Sequence, residues 1–192
     1  MIPEGLRGPG VDVREGASLA ARTTLRIGGP ARYLAEVSDA GALGRVLRFA
    51  RGAGLPVLVL GKGSNLLVPD AGFPGVVLVL GGAFRETRVE GTEIVAGGGV
   101  SLMALAVAAR DAGLSGVENV SGIPSSVGGA VRINAGSYGS EIFDALASAT
   151  LVSPAGDVRT APAAAIAHGY RWTSLCETGD VVAEARFRLS PK

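Results

Sequence analysis

The spacing of apolar residues predicts a strand–helix–strand unit in the first half of the chain. Residues 32–37 (RYLAEV) form a short strand candidate, and Asp39 follows as the N-cap of a helix that Gly54 ends. Apolar residues recur in this helix at the three- and four-residue spacing of a single helical face. The runs 55–60 (LPVLVL) and 75–80 (GVVLVL) are continuously apolar, which is typical of parallel strands covered on both faces.

Alternating patterns predict antiparallel strands in the second half. Residues 87–97 have the pattern of a hairpin around a central glycine, and residues 149–160 that of a second hairpin with Pro-Ala-Gly-Asp as its turn. Between them, Ser101 is predicted to cap a helix that ends near Gly113. Residues 181–189 alternate small or apolar with charged side chains, as expected for a strand with one buried face.

This order of elements predicts an α+β fold with two subdomains. Residues 20–82 form the first, of βαβ type, and residues 83–190 form the second, with a mostly antiparallel sheet and helices. The segment 81–84 (GGAF) is the expected hinge between them. Ligands often bind where two such units meet, so we expect a binding site between the subdomains.

Composition narrows the classes of function. With 47% apolar residues and a net charge of +1, the chain can bury a sizeable core and has no basic stripe for nucleic acid. It has no apolar run of transmembrane length, and its N-terminus lacks the order of a signal peptide. The single cysteine, Cys176, cannot form an intrachain disulfide. We therefore expect a soluble cytoplasmic protein that binds neither nucleic acid nor membrane, of open oligomeric state.

The side chains that most often carry catalysis are scarce. His168 is the sole histidine, so neither a Ser-His-Asp nor a Cys-His site can be built within this chain. No His/Cys cluster has the spacing of a metal site, and no metal is expected. Cys176 is best explained as a buried structural thiol. Any redox chemistry would therefore depend on a bound organic cofactor.

Glycine is the outlier, with 30 among 192 residues, compared with the usual share of about 7%. In 57–68 (VLVLGKGSNLLV), an apolar strand leads into a turn with two glycines, whose backbone N–H groups can form an anion-binding nest. Because Leu66 and Pro56 stand where glycines are required, the segment is neither a Rossmann fingerprint nor a P-loop. By itself, the segment fits an ordinary turn equally well.

The longest glycine-rich segment, 119–139 (NVSGIPSSVGGAVRINAGSYG), is predicted to be an ordered loop. Apolar residues punctuate it throughout, unlike a flexible Ser/Gly linker. Pro124 fixes an extended course, and Gly128 and Gly129 allow the backbone to approach a ligand closely. The residues alone therefore predict a phosphate-bearing or planar ligand between two lobes, without naming it.

Four segments together resemble the UDP-N-acetylenolpyruvoylglucosamine reductases, also called UDP-N-acetylmuramate dehydrogenases or the MurB family, flavoenzymes of peptidoglycan precursor synthesis. They are 23–34 (TTLRIGGPARYL), 58–68, 112–142 and 169–175 (GYRWTSL), in the family's order. The resemblance implies a FAD-binding domain of the vanillyl-alcohol-oxidase (PCMH) type, with non-covalent FAD between two α+β subdomains. It further implies NADPH as the hydride donor and UDP-N-acetylglucosamine enolpyruvate as the substrate that the reduced flavin converts to UDP-N-acetylmuramate.

The resemblance also implies roles for individual residues. Arg171 matches the active-site arginine, whose planar guanidinium suits a carboxylate, and Tyr138 and Tyr170 are expected to bind substrate beside it. The turn that starts at residue 61 is expected to bind the FAD pyrophosphate. The expected cofactor-binding residues are Gly61, Lys62, Gly63, Ser64, Asn65, Leu66, Ser121, Gly122, Ile123, Pro124, Ser125, Ser126, Gly128, Gly129, Asn134, Ala135, Gly136 and Val182.

The chain departs from the family pattern in three places. Ser125 replaces the usual glycine, and Thr173 stands where the family often has serine. The family's C-terminal substrate domain, with its serine proton donor and late glutamate, has no match before Lys192, so we expect the FAD-binding portion of the enzyme. Two alternatives stay open: another oxidoreductase on the same flavin fold, and a non-catalytic flavin- or nucleotide-binding module. Flavin retention and reduction of the enolpyruvyl substrate would discriminate between them.

Overall fold

The computed structural model describes every residue from Met1 to Lys192 and contains four α-helices and fifteen strands. The helices are α1 (Ala40–Gly52), α2 (Leu102–Asp111), α3 (Val127–Arg132) and α4 (Leu175–Thr178). The strands are β1 (Val11–Ser18), β2 (Pro30–Val37), β3 (Val57–Val59), β4 (Phe73–Leu80), β5 (Thr87–Glu90), β6 (Glu93–Gly97), β7 (Leu114–Ser115), β8 (Gly136–Ser137), β9 (Ser140–Glu141), β10 (Leu146–Val152), β11 (Val158–Pro162), β12 (His168–Gly169), β13 (Trp172–Thr173), β14 (Val181–Arg188) and β15 (Ser190–Pro191). None of the helices combines the length and the apolar character needed to cross a membrane.

A four-stranded sheet in the order β1-β2-β4-β3 forms the first layer. Strands β2 and β3 run parallel to β4, and β1 pairs antiparallel with β2. Helix α1 begins where the Asp39 carboxylate accepts a hydrogen bond of 2.9 Å from the Ala42 backbone N–H, as predicted. The sheet begins with β1, which lies before residue 20, so this unit starts earlier than the expected boundary. Strand β1 is mostly exposed, and its sequence has too few apolar residues to reveal a strand.

The prediction that residues 55–60 form a strand covered on both faces is wrong. Strand β3 is only three residues long and lies at the sheet edge, where the Val57 side chain is 37% exposed. Pro56 accepts a hydrogen bond from the Val76 N–H but has no N–H to donate, which limits the pairing. The buried part of the run is its last residue, Leu60, where the chain leaves the sheet.

The second layer is a five-stranded antiparallel sheet in the order β11-β10-β14-β6-β5. In its central strand β14, Phe187 lies opposite Leu146 of β10 and Ile94 of β6, and all three are buried. Glu184 and Arg186 point to the other face and pair with charged residues of β5 and β6. The predicted alternation along this strand is therefore confirmed. A core of 26 buried residues fills the space between this sheet and helices α2 and α3.

Helix α1 joins the two sheets through a shared core of 16 buried residues. Leu47 of this helix belongs to the same cluster as Val152 and Val181 of the second sheet. The connection between the sheets contains a 3₁₀ turn at Gly82–Arg85, and its Phe84 side chain is buried in this cluster. The segment expected to link the subdomains is therefore a packed connection, which fixes how the two sheets face each other.

Candidate functional site

A cavity of about 520 Å³ lies between the two sheets. It is bounded by the carboxyl ends of β3 and β4 on one side and by Val181 and Val182 of β14 on the other. Five glycines contribute to its wall, at positions 61, 98, 99, 128 and 129. Because much of this wall is bare backbone, a flat ligand can approach peptide groups closely. The carboxyl ends of parallel strands are also where open α/β sheets commonly bind ligands.

A second cavity of about 530 Å³ adjoins the first. The two share Leu60, Gly61 and Lys62, which follow strand β3 directly. Arg22 and Arg26 line the second cavity, so together with Lys62 they give the junction a positive charge. The combined site therefore suits an elongated ligand that carries negative charge near its middle.

The strand-end turn and the glycine-rich loop pack against each other. The Ser64 hydroxyl donates a hydrogen bond of 2.6 Å to the Pro124 carbonyl oxygen. Gly61 has no room for a side chain, because a Cβ atom there would lie 2.6 Å from the Ser126 Oγ atom. The structure thus brings together the two sequence segments that were predicted, separately, to hold a ligand.

The glycine-rich loop contains a short helix that the sequence analysis did not predict. The Ser126 hydroxyl caps helix α3 by accepting a hydrogen bond of 3.3 Å from the Gly129 N–H. A Cβ atom on Gly128 would lie 3.0 Å from the Gly98 carbonyl oxygen and 3.2 Å from that of Val182. The two adjacent glycines lower intrinsic helix propensity and so concealed the helix, but they allow α3 to sit directly on neighbouring backbone.

Only some of the predicted cofactor-binding residues line the first cavity. Those that do are Gly61, Lys62, Ser126, Gly128, Gly129 and Val182. The rest lie in the same turn and loops but outside the cavity wall, namely Gly63, Ser64, Asn65, Leu66, Ser121, Gly122, Ile123, Pro124, Ser125, Asn134, Ala135 and Gly136. For both groups, contact with a cofactor stays a prediction.

The sequence analysis missed several residues of the wall. Gly98 and Gly99 lie after β6, and the run of three glycines at 97–99 was the available signal. Three other missed residues carry charge, namely Arg85, Arg132 and Asp180. Arg159 forms an ion pair with the Asp180 carboxylate, which is only 5% exposed. With that carboxylate paired, the unpaired charges that face the cavity are predominantly positive.

Asn134 joins two small hairpins. Its side-chain amide donates hydrogen bonds of 2.6 Å to Glu141 and 3.1 Å to the Gly169 carbonyl oxygen. It connects the β8–β9 hairpin to the β12–β13 hairpin, and its backbone takes the left-handed conformation with φ of +47°. In this structure Asn134 therefore positions the two hairpins.

Arg171 and two tyrosines are exposed at the tips of these hairpins. Tyr138 is 90% exposed and Tyr170 is 84% exposed. The Arg171 guanidinium donates a hydrogen bond of 2.7 Å to the Gly136 carbonyl oxygen and lies 5.4 Å from the centre of the Tyr170 ring. Arg171 and Tyr138 both have positive φ, a strained conformation for residues other than glycine. The predicted catalytic and substrate-binding residues thus form an exposed face of their own, outside the cavity wall.

The histidine and the cysteine both have structural contacts. The His168 ring stacks on Phe143, with 4.2 Å between ring centres. The Cys176 thiol donates a hydrogen bond of 3.3 Å to the Arg132 carbonyl oxygen and is half-buried, less enclosed than predicted. These contacts support the prediction that Cys176 is a structural residue.

Glu118, before the glycine-rich loop, is expected to make stability depend on pH. The Gly116 N–H donates a hydrogen bond of 2.7 Å to its carboxylate, and this bond and the Ser115 side chain lower the pKa of Glu118 from 4.5 to about 2. Because the pKa is lower in the folded state, the stabilisation is complete above about pH 4.5 and is lost as the pH falls toward about 2. We expect Glu118→Gln to lower Tm at neutral pH, with the difference from the parent protein shrinking between pH 4.5 and pH 2.

Thermal melts followed by circular dichroism would measure this dependence. Glu177→Gln is the matched control, because Glu177 is exposed and its side chain makes no hydrogen bond. A Tm difference for Glu118→Gln that stays constant down to about pH 2 would contradict the proposed role of the Glu118 carboxylate.

Comparison with known proteins identifies one matching family model and several related enzymes. The chain matches the family model described as "FAD binding domain" over residues 31–162. The UDP-N-acetylenolpyruvoylglucosamine reductase of Agathobacter rectalis is 41% identical over 198 residues, covering 96% of this chain and 62% of that protein. The counterpart from Lactobacillus delbrueckii subsp. bulgaricus is 40% identical over 184 residues, with 96% and 62% covered. The chain thus spans less than two thirds of the length of these relatives.

Solved structures show the same similarity. The crystal structure of UDP-N-acetylenolpyruvylglucosamine reductase (MurB) from Thermus caldophilus superposes with a TM-score of 0.80 at 36% identity, covering 95% of this chain and 63% of that chain. 6-Hydroxy-D-nicotine oxidase from Arthrobacter nicotinovorans superposes with a TM-score of 0.62 at 23% identity, covering 83% and 36%. At that identity the second similarity concerns the fold alone.

Proposed function

The chain belongs to the family of FAD-binding domains, and from that premise we propose that it is the flavin-binding part of a UDP-N-acetylenolpyruvoylglucosamine reductase. The predicted fold class, an α+β FAD-binding domain of the vanillyl-alcohol-oxidase type with two subdomains, is confirmed by the family model and by the superpositions. FAD is the cofactor that this family binds. The proposed reaction is the NADPH-linked reduction of UDP-N-acetylglucosamine enolpyruvate to UDP-N-acetylmuramate in the cytoplasm.

The pair of joined cavities is the observation that supports this proposal most strongly. FAD has two flat ring systems joined by a pyrophosphate, and the site has two cavities of about 520 and 530 Å³ joined at Gly61 and Lys62. Both volumes lie within the range of about 300–1,000 Å³ that is usual for small-molecule sites. The positive junction and the glycine-rich turn suit the pyrophosphate, and the backbone wall at Gly98 and Gly128 suits a planar ring. The residues present therefore fit the cofactor.

We place substrate recognition on the exposed face that carries Arg171. FAD, when bound, supplies the acceptance of hydride from NADPH and its delivery to the enolpyruvyl double bond. The Arg171 guanidinium is held by the Gly136 carbonyl oxygen and by the ring of Tyr170, so its direction is fixed before substrate arrives. A planar, permanently charged group in this position can bind the enolpyruvyl carboxylate and stabilise negative charge that develops on it.

The test is the visible absorption spectrum of the purified chain after incubation with FAD and desalting. We expect flavin bands to be retained and to bleach when NADPH is added. Retained bands that do not bleach would limit the function of this chain to binding the flavin. A chain that is folded by circular dichroism and yet stays colourless would contradict the proposal and would favour a module without flavin chemistry.

Gly122→Ala tests whether the glycine-rich loop contacts the cofactor. A methyl group at Gly122 would meet no protein atom within 4 Å, so the substitution should leave the fold unchanged. If FAD lies against this loop as predicted, the methyl group should weaken FAD binding by about tenfold, which corresponds to about 1.4 kcal/mol. Quenching of flavin fluorescence measures the dissociation constant, and thermal melts measure stability.

Gly52→Ala is the matched control for this experiment. A methyl group there also meets nothing within 4 Å, and Gly52 is the last residue of α1, away from both cavities. It should leave FAD affinity unchanged. Equal FAD affinity for Gly122→Ala and the parent protein would exclude Gly122 from the cofactor site.

A further inference from the structure

We propose that Glu36 is a positioning residue that holds Arg22 and Arg85 so that their guanidinium groups face the pyrophosphate of FAD from two sides. The inference rests on the proposed FAD site. The Glu36 carboxylate accepts a hydrogen bond of 3.1 Å from Arg85, and its other oxygen lies 3.9 Å from the Arg22 guanidinium. One carboxylate thus lies between two cations that come from different parts of the chain.

The two arginines belong to different cavities. Arg85 lines the first cavity and Arg22 lines the second, whereas Glu36 lines neither. The cavities meet at Leu60–Lys62, where the anionic middle of a dinucleotide would lie in the proposed site, and each arginine contributes a cation to one of the two cavities. Glu36 therefore does not contact a ligand in either cavity, and it can act either by holding the arginines or through its own charge.

The surroundings of Glu36 fix where its carboxylate lies. Its backbone is held in strand β2 between β1 and β4. A Cβ atom on Gly81 would lie 2.7 Å from the Glu36 Oε1 atom, so the glycine leaves the space that the carboxylate occupies. The side chains of Glu36 and Arg22 are each 32% exposed, so solvent screens this pair less than a fully exposed ion pair.

The charges around Glu36 make the direction of change in FAD affinity decisive, because a charge role and a positioning role predict opposite changes when Glu36 is replaced. Arg22, Arg85 and Lys62 attract an anion at the junction, and the single negative charge of Glu36 opposes that attraction. If Glu36 acted only through its charge, its removal would tighten FAD binding. If it holds the arginines in place, its removal frees two long side chains that repel each other, and FAD binding weakens.

The experiment compares Glu36→Gln with Glu184→Gln. The control removes a carboxylate of similar exposure, 36%, that pairs with Arg88 at 3.0 Å and lines neither cavity. FAD dissociation constants are measured by fluorescence quenching over a series of salt concentrations. We expect Glu36→Gln to weaken FAD binding by about tenfold at low salt and to reduce its salt dependence, because fewer cations engage the phosphates. The control should match the parent protein in both readouts.

Two further variants separate positioning from a loss of folding. Gly81→Ala keeps the charge of Glu36 and displaces its side chain, which is the only neighbour that the added methyl group would crowd, so it should also weaken FAD binding. Arg85→Met should weaken FAD binding, and adding Glu36→Gln to it should cause little further loss. These variants would still test the proposal if Glu36→Gln alone proved too unstable to purify.

Each of the remaining outcomes overturns the proposal. FAD binding by Glu36→Gln that equals or exceeds that of the parent protein would leave Glu36 as a simple opposing charge. A lower Tm with an unchanged FAD dissociation constant and salt dependence would show a purely structural role. A parent protein that binds no FAD would overturn this inference together with the proposed function, whereas a parent that binds FAD normally confines the failure to Glu36.

Discussion

Replacing Gly98 by alanine is expected to destabilise the fold by about 3 kcal/mol and to abolish FAD retention. A Cβ atom at this position would lie 2.1 Å from the Val182 carbonyl oxygen, a backbone atom that cannot rotate away. The Gly98 N–H donates to Ala183 at 2.8 Å, and its carbonyl oxygen accepts from Gly128 at 2.9 Å. Gly98 therefore holds β14 and α3 together, and displacing it moves two sides of the first cavity at once.

Urea denaturation and the flavin titration described above would measure both effects of Gly98→Ala. Gly52→Ala serves again as the control, because both substitutions add one methyl group and only one of them meets backbone. Since alanine has the higher helix propensity, the control should be as stable as the parent protein or slightly more stable. A Gly98→Ala protein with the denaturation midpoint and FAD affinity of the parent would show that this contact does not shape the cavity.

Much of the fold could be predicted because single segments carried strong patterns. Helix α1 combines an N-cap, one apolar face and a terminal glycine, and its N-cap hydrogen bond is the one that the sequence indicated. Strand β4 is a continuous apolar run, and β14 alternates along its length. In each case local propensity and tertiary packing favour the same structure, which is the situation in which sequence patterns are reliable.

Elements whose stability comes from distant contacts were missed. Strand β1 is an edge strand with mostly exposed side chains, and the alternation in its sequence covers only the four residues 11–14, so its own sequence distinguishes it only weakly from a loop. Helix α3 is concealed by Gly128 and Gly129, and it forms because Ser126 caps it and because its glycines pack on backbone from β14 and from the segment after β6. Sequence patterns describe neighbours along the chain and do not contain these contacts.

In the candidate site, too, the features that depend on local sequence were predicted and those that depend on distant contacts were missed. The turn after β3 and the glycine-rich loop were found from composition and spacing, and Ser64 and Pro124 bring them together. Apart from Lys62, the charged residues around the junction were not found, because Arg22, Glu36 and Arg85 are far apart in sequence and each resembles an ordinary surface residue. Only the folded structure shows that Arg22 and Arg85 line the cavities and that the Glu36 carboxylate lies between them.

Phe187→Ala is expected to destabilise the protein by about 4 kcal/mol. Phe187 is fully buried in the central strand of the second sheet, opposite Leu146 and Ile94, and it is among the largest buried side chains of the protein. The substitution would remove most of its packing and leave a cavity that the neighbouring strands cannot close. Domains of this kind are typically stable by about 5–15 kcal/mol, so the variant should still fold but with a much lower urea midpoint. Phe73→Ala, at a half-buried position of the first sheet, is the control and should cost less.

Adding FAD should distinguish Phe187→Ala from Gly98→Ala, because only one of these substitutions changes the cavity. Phe187 lies near one end of β14, whereas Val181 and Val182 at the other end line the cavity, so folded Phe187→Ala should bind FAD with the affinity of the parent protein. Ligand at about 100 times its dissociation constant stabilises a folded protein by about 2.7 kcal/mol, and this gain should appear in full for Phe187→Ala and be absent for Gly98→Ala. A Phe187→Ala protein that is folded but gains no stability from FAD would show that the cavity depends on packing along the whole of β14. An undiminished gain for Gly98→Ala would instead show that the cofactor does not use the wall formed by Gly98 and Gly128.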